Sequence, residues 1–250
     1  MEKLFIATSF DKRSNLIQII TDLGIVENVI TTKEELQKLN KKTILLLSWK
    51  HILSEEILTN QKLVLNLHNS LLPKYRGRHA FTWALINGEK KSGFTLHKVV
   101  REIDAGPIYD QCEIEIDDTD DINNLFAKAN LVVEEWLPII ILRVLSNKIK
   151  PVSQDNTKAT YFHKRTLVDM KLNTKSSKLD IYNFIRAHTP PYTKGAYIII
   201  DRRIVYLRSV LEIKPLNHSC EKNIFIENNR LILNCKDAQV IVEISKIDQL

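Results

Sequence analysis

Cysteine is scarce in this chain: Cys112, Cys220 and Cys235 are the only three among 250 residues. Their number is odd, and no two of them have the spacing of a metal-binding motif. A disulfide-stapled scaffold and a cysteine zinc site are therefore not indicated, and a reducing compartment suits the chain. We expect a cytoplasmic protein without a metal ion.

Long apolar runs are also missing. The most apolar stretch is WLPIIILRVL (136–145), and both Pro138 and Arg143 interrupt it. A membrane-spanning helix needs about 20 apolar residues, so this stretch is far too short. The first residues, MEKLFIATSFDKRS, likewise lack the apolar run of a signal peptide. We expect neither a membrane anchor nor a membrane partner.

Basic residues exceed acidic ones, with a net charge of +6, but they are scattered along the chain. A surplus of positive charge favours anionic partners such as phosphates. No basic cluster with interleaved aromatic residues stands out, which argues against a nucleic-acid-binding module. No internal repeat is present.

The first part of the chain alternates between apolar strands and helices. Strands are predicted at 3–10, 27–32, 41–49, 62–68, 92–100 and 106–116, and helices at 15–25, 54–60, 79–88 and 117–147. This alternation predicts an α/β fold with a parallel-rich sheet. Beyond residue 165 one helix and several short strands predict a small OB-like or meander β-domain. We therefore divide the chain into 1–165 and 166–250.

Two polar side chains, Asn66 and His68, end the apolar strand 62–68 and point to the same side of it. Ligands of an open α/β sheet bind at the carboxyl ends of its strands. Asp104 follows the strand 92–100, so it lies at such an end too. Together they could stabilise an oxyanion and move a proton. A packing histidine and a turn-forming aspartate suit the same pattern, and spacing alone does not join Asp104 to His68.

Four short motifs occur in a fixed order: NLHNSLLP (66–73), RG (76–77), GFT (93–95) and DAGPI (104–108). In this order they resemble the formyltransferase family that uses 10-formyltetrahydrofolate. The resemblance implies a Rossmann-like catalytic domain, with Asn66, His68 and Asp104 as the catalytic trio. Asn66 and a protonated His68 would stabilise the oxyanion, and Asp104 would keep His68 charged and accept the amine proton through water.

The resemblance also implies where the folate cosubstrate binds. The candidates for this pocket are Ser48, Trp49, Ile52, Ile103 and Asp104. Packing in the core is an equally good explanation for Ile52 and Ile103.

Within this family, the nucleotide-sugar N-formyltransferases are the most similar. Segments 161–166 and 186–196 match theirs, and the chain lacks the basic insertion typical of the methionyl-tRNA enzymes. The acceptor would be a dTDP- or GDP-linked 3-amino or 4-amino deoxyhexose for surface polysaccharide such as O-antigen. The substrate-binding candidates are Lys74, Arg76, Arg78, His97 and Tyr192.

Each of these candidates has another explanation: a solvated lysine, an arginine that braces the loop, or ordinary packing residues. The methionyl-tRNA enzyme and a non-catalytic nucleotide-binding module of the same fold stay open as alternatives. Strands within 196–250 could pair across a homodimer.

Overall fold

The computed structural model describes residues 2–9, 14–216 and 223–249, so Cys220 and residue 10 of the first predicted strand lie outside the described residues. The helices are α1 (Asn15–Asp22), α2 (Lys33–Gln37), α3 (Glu55–Asn60), α4 (Ala80–Ile86), α5 (Ile122–Leu145) and α6 (Lys178–Arg186). The strands are β1 (Leu4–Thr8), β2 (Val26–Ile30), β3 (Thr43–Leu47), β4 (Leu63–His68), β5 (Arg76–Gly77), β6 (Lys91–Lys98), β7 (Ile108–Glu115), β8 (Tyr161–Phe162), β9 (Ala196–Ile200), β10 (Arg203–Lys214), β11 (Ile224–Glu227), β12 (Arg230–Asn234) and β13 (Gln239–Gln249).

The chain forms two compact units, and neither is a single continuous stretch. The first unit comprises Met1–Ala80, Ser92–Glu115 and Lys128–Phe162. The second unit comprises Phe81–Lys91, Ile116–Ala127 and His163–Leu250. The division of the chain at residue 165 stays a prediction.

A six-stranded sheet in the order β2-β1-β3-β4-β6-β7 organises the first unit. β1 is parallel to β2 and β3, and β3 is parallel to β4, whereas β6 is antiparallel to β4. All five residues of β1 and of β3 are buried. Both strands are continuous apolar runs because a central parallel strand is covered on both faces. The predicted α/β class with a parallel-rich sheet is confirmed.

One face of this sheet carries a cluster of buried side chains. Phe5 and Ala7 of β1 contribute to it, as do Ile44 and Leu46 of β3, because residues two apart on a strand share a face. Ile57 of α3 packs onto the same cluster. Burying each large apolar side chain stabilises the fold by about 1.5–3 kcal/mol.

The long helix α5 starts later than the sequence pattern predicts. It begins at Ile122, not at residue 117. The Asp121 carboxylate accepts hydrogen bonds from the backbone amides of Asn123 and Asn124, each at 2.9 Å. An aspartate that caps the first free amides sets the start of the helix there.

The second unit contains a five-stranded antiparallel sheet in the order β11-β12-β13-β10-β9. The strand β13 lies between β10 and β12. Ile181 and Ile185 of α6 join the buried cluster of this sheet. Ser177 and Asp180 form a capping box at the start of α6. A small β-rich part preceded by a helix is therefore confirmed.

Two sequence segments that support the family resemblance meet inside the second unit. His188 is completely buried, and its Nδ1–H donates to the Phe184 carbonyl at 2.5 Å. Its Nε2 accepts a hydrogen bond from the guanidinium of Arg165. Burial and the positive charge of Arg165 lower the pKa of His188 to about 3, although the Phe184 carbonyl and Asp169 oppose the shift. Burial also lowers the pKa of Arg165 to about 10, so at neutral pH the arginine is charged and the histidine is neutral.

We expect His188 to make the folded chain less stable as the pH falls below about 6.5. The unfolded chain then binds a proton that folded His188 rejects until about pH 3. Between pH 7 and 5.5 this linkage lowers the free energy of unfolding by roughly 1.2 kcal/mol. His188→Asn keeps a donor for the Phe184 carbonyl but does not titrate, so urea denaturation should show a flatter pH dependence. Equal pH dependence in the two proteins would contradict the assignment.

Candidate active site

The carboxyl end of β4 carries the two polar residues singled out in the sequence. β4 pairs with β6, and in that register Asn66 is opposite His97 and His68 is opposite Thr95. The Asn66 amide donates a hydrogen bond to Nε2 of His97 at 3.1 Å. The other ring nitrogen of His97, Nδ1, donates to the Lys98 carbonyl at 2.9 Å. His97 is buried, and it orients the amide of Asn66.

Asp104 joins these residues from the loop after β6. Its Oδ2 lies 3.5 Å from Nδ1 of His68, and its Oδ1 lies 3.6 Å from Nε2 of His97. The fold therefore brings Asn66, His68 and Asp104 together and adds His97 as a fourth member. This grouping is what spacing along the sequence cannot establish.

The two ring nitrogens of His68 both face oxygen acceptors. Nε2–H donates to the Tyr75 carbonyl at 2.8 Å, and Nδ1 faces Asp104. A protonated ring would satisfy both acceptors. Burial nevertheless lowers the pKa of His68, and it outweighs the opposing effects of Asp104 and the Tyr75 carbonyl. The free chain thus favours a neutral ring at neutral pH, whereas the mechanism implied by the resemblance uses a protonated one.

The Asp104 carboxylate is ionised at neutral pH. Burial by itself would raise its pKa, but His68, the nearby His97 ring and the Gly77 amide lower it to about 2. The Gly77 amide donates to Oδ2 at 2.9 Å. Asp104 also adopts a left-handed backbone conformation, with φ of 51°. Non-glycine residues rarely adopt this conformation, so the surrounding bonds must hold it.

Arg76 is buried, with its guanidinium fully engaged. Its Nη2 donates to Gln154 Oε1 at 2.6 Å and to Asn156 Oδ1 at 2.7 Å, and its Nη1 donates to the Tyr161 hydroxyl at 2.5 Å. Only 1% of the residue is exposed. This geometry favours the bracing role for Arg76 over direct binding of a diphosphate.

The other cations of the same loop are exposed. The Arg78 guanidinium donates to the Lys50 carbonyl, and the side chain of Lys74 faces solvent. Tyr192 belongs to the second unit and is 46% exposed. The centroid of its ring lies 4.5 Å from the ring centroid of Phe126. Binding of substrate by Lys74, Arg78, His97 and Tyr192 stays a prediction.

The folate-pocket candidates follow β3 and β6. Ser48 is exposed with φ of 54°, and Ile52 and Ile103 are 72% and 52% exposed. Core packing is therefore wrong for both isoleucines. Trp49 packs against the core cluster, and its buried Nε1 has no hydrogen-bond partner among the described residues. Exposed apolar side chains suit a flat heteroaromatic ring, and binding of the folate by these candidates stays a prediction.

Several contributors to the site escaped the sequence analysis. Gln154 donates hydrogen bonds to the carbonyls of Asp104 and Gly106 at 2.8 and 2.7 Å. The Gly77 amide and the Tyr75 carbonyl are backbone groups, which a side-chain pattern does not reveal. His97 is a substrate-binding candidate from the sequence. Its place beside Asn66 follows from the alternation of β6 only once the pairing of β6 with β4 is assumed.

No cluster of three or more metal-ligating side chains occurs within residues 2–9, 14–216 and 223–249. Across the same residues, no helix combines the length and the apolarity that crossing a membrane requires. Cys112 and Cys235 are both free thiols.

Comparison with known proteins defines the class of domain that holds this site. Residues 28–141 match the family model for formyl transferases. The bifunctional polymyxin resistance protein ArnA of Wigglesworthia glossinidia brevipalpis is 36% identical over 206 residues, which cover 80% of this chain and 30% of that protein. Residues 28–141 therefore belong to the formyl transferase family, and the chain spans less than a third of this curated relative.

Solved structures share the fold along nearly the whole chain. An N-formyltransferase from Helicobacter canadensis, in complex with folinic acid and dTDP-3-aminofucose, superposes with a TM-score of 0.74 at 22% identity, covering 98% of this chain and 100% of that one. The sugar 3N-formyltransferase WlaRD, with dTDP and 5-N-formyl-THF, gives 0.74 at 22% identity and covers 98% of each chain. Methionyl-tRNA formyltransferase from Clostridium thermocellum gives 0.67 at 20% identity, covering 98% and 100%.

We expect Arg76→Met to lower the free energy of unfolding by about 1–3 kcal/mol, because it removes a buried guanidinium that donates hydrogen bonds to Gln154, Asn156 and Tyr161. Arg78→Met is the matched control, since that side chain is exposed and should change stability by less than about 0.5 kcal/mol. Urea denaturation of both variants makes the comparison. Similar stability losses in the two would remove the bracing role.

Proposed function

We propose that the chain is an N-formyltransferase that moves the formyl group of 10-formyltetrahydrofolate to the amine of a nucleotide-linked aminodeoxy sugar. One observation carries the proposal: an ionised, partly buried Asp104 lies between two imidazoles beside Asn66, within a formyl transferase domain. Two proteins of the same fold support this choice of substrates: one is in complex with folinic acid and dTDP-3-aminofucose, and the other was solved with 5-N-formyl-THF and dTDP.

The residues at the carboxyl end of β4 and in the loop after β6 can take separate roles in the reaction. The amine nitrogen forms a bond to the formyl carbon, the bond from that carbon to the folate nitrogen breaks, and the folate nitrogen leaves with the electron pair and takes up a proton. One amide hydrogen of Asn66 is donated to His97, which leaves the second for the formyl oxygen. Each donor placed where charge develops contributes roughly 3–4 kcal/mol.

Proton movement falls to Asp104 and His68. The Asp104 carboxylate is ionised at neutral pH, so it can accept the amine proton through a water molecule, but its pKa of about 2 makes it a weak base that passes the proton on. Negative charge on the formyl oxygen favours protonated His68, which burial disfavours in the free chain. His68 is therefore neutral in the free chain, and the proton that leaves the amine reaches Nδ1 of the ring through Asp104 as the charge develops. The same proton moves to the folate nitrogen when that nitrogen leaves.

The acceptor is assigned by charge and by similarity. Lys74 and Arg78 present exposed cations after β4, where a diphosphate could bind. We propose a dTDP-linked sugar first, with the amine at position 3 or 4, and a GDP- or UDP-linked sugar second. The product would enter a surface polysaccharide such as O-antigen. A homodimer and a cytoplasmic location complete the proposal.

The expected reaction can be tested with purified full-length chain and 10-formyltetrahydrofolate. Candidate acceptors are 3-amino and 4-amino deoxyhexoses linked to dTDP, GDP or UDP, and methionyl initiator tRNA serves as the rival acceptor. We expect mass spectrometry to detect one added formyl group on a nucleotide sugar, with release of tetrahydrofolate. Formylation of the tRNA alone would contradict the sugar assignment, and no transfer to any acceptor would contradict both.

Asp104→Asn should lower kcat by a factor on the order of a hundred, because the variant cannot accept a proton and loses the charge that supports His68. Asp110→Asn is the matched control: Asp110 accepts a hydrogen bond from Trp136 Nε1 at 3.1 Å and is not among the site residues. Steady-state kinetics on both variants, with circular dichroism to verify folding, measures the difference. An Asp104→Asn enzyme as fast as the parent would exclude the catalytic assignment.

A further inference from the structure

Gln154 lies on a segment that the backbone fixes to the start of β7. Val152 and Ile108 exchange two backbone hydrogen bonds, of 2.7 and 2.8 Å. Two residues later, the Gln154 amide nitrogen donates to the carbonyls of Asp104 and Gly106. Its amide oxygen accepts from Nε and Nη2 of Arg76 at 3.2 and 2.6 Å. A single side chain thus connects the Asp104 loop to the buried arginine.

These four bonds use the whole hydrogen-bonding capacity of the Gln154 amide. Two N–H groups meet two carbonyls, and the oxygen lone pairs meet two guanidinium nitrogens. No donor or acceptor is left over for a substrate. Any effect of Gln154 on the reaction must therefore act through the residues it holds.

Asp104 needs such support because its backbone is in the left-handed region, with φ of 51°. Left-handed geometry is unfavourable for most non-glycine residues, and the two bonds from Gln154 hold the carbonyls of this loop in place. The loop is also tightly packed, because a Cβ at Gly106 would lie 1.7 Å from the Lys98 carbonyl oxygen. Gly77, the residue after Arg76, adds a further contact, because its backbone N–H donates a hydrogen bond to the Asp104 carboxylate.

We propose that Gln154 is a positioning residue that holds the Asp104 carboxylate against His68 and couples Asp104 to Arg76. Only the expected effect of Gln154 on turnover rests on the proposed formyl transfer. The groups that face His68 are the Asp104 carboxylate, the His97 ring and the Tyr75 carbonyl. Loss of the Gln154 donors lets the carboxylate move away, and the ring then holds its proton more weakly.

Gln154→Glu separates the two halves of the side chain. The carboxylate still accepts from Arg76, so the brace of the buried arginine is kept, but it cannot donate to the carbonyls of Asp104 and Gly106. Gln61→Glu is the matched control. Gln61 donates to the Leu39 carbonyl at 2.6 Å and accepts from the Lys42 amide at 3.2 Å, and it precedes β4 at the opposite end of the strand.

The experiment follows the titration of His68 by NMR in the full chain labelled at histidine, with the His68 signal assigned by its loss in His68→Asn. Gln154→Met, which removes both donors without adding a charge, should move the titration midpoint of His68 to lower pH by roughly half a unit, in the same direction as Asp104→Asn. The corresponding change at Gln61 should leave it in place. With an active acceptor, kcat should fall about tenfold in Gln154→Glu while both KM values change less than about twofold.

An unchanged His68 midpoint in Gln154→Met overturns the proposal, even if the variant is less stable, because a purely structural role predicts that result. If Gln154→Met fails to fold, Gln154→Glu, which keeps the acceptor for Arg76, decides in its place, and an unchanged kcat in that variant overturns the proposal. The titration does not depend on turnover. If the protein shows the shift in the His68 midpoint but transfers no formyl group to any acceptor, the proposed function is contradicted and the positioning role of Gln154 is still supported.

Discussion

A partly buried, ionised carboxylate is the constraint around which the site of the first unit is arranged. Removing a carboxylate from water costs several kcal/mol unless charges and donors replace the lost hydration. At Asp104 that replacement comes from His68, His97 and the Gly77 amide, which together lower its pKa to about 2. Each of these groups is fixed by a strand pairing or by a further hydrogen bond, so the carboxylate determines much of the local architecture.

At His68, the neighbouring acceptors and burial have opposite effects on the pKa. Its two ring nitrogens face acceptors that favour a proton, whereas its burial resists the resulting charge, and burial prevails. The affinity of such a ring for a proton responds strongly to any new charge beside it, because little solvent is present to screen the interaction. The site is thus suited to hold a proton weakly at rest and firmly when negative charge appears.

The architecture of the sheet could be predicted from the sequence because buried parallel strands are apolar runs and amphipathic helices separate them. Asn66 and His68 could be predicted for a similar reason: polar residues at the end of an apolar strand are conspicuous. The roles of Arg76 and Gln154 could not. Arg76 lies in a basic loop that looks solvated, and its partners are 78 to 85 residues further along the chain.

Backbone groups account for most of what remained hidden in the site. The Tyr75 carbonyl and the Gly77 amide contact the two central side chains, but every residue has such groups, and only the fold decides which of them point inward. The exposure of Ile52 and Ile103 was equally undetermined. An isoleucine near a strand end suits both a core and an open pocket.

The interleaving of the two compact units has a consequence for how such a chain can evolve. Phe81–Lys91 and Ile116–Ala127 belong to the unit that also contains His163–Leu250. If the gene were split at any single codon, at least one unit would therefore be divided between the two encoded protein fragments. A single crossover could therefore not transfer the whole second unit between relatives, because Phe81–Lys91 or Ile116–Ala127 would stay behind or bring part of the first unit along.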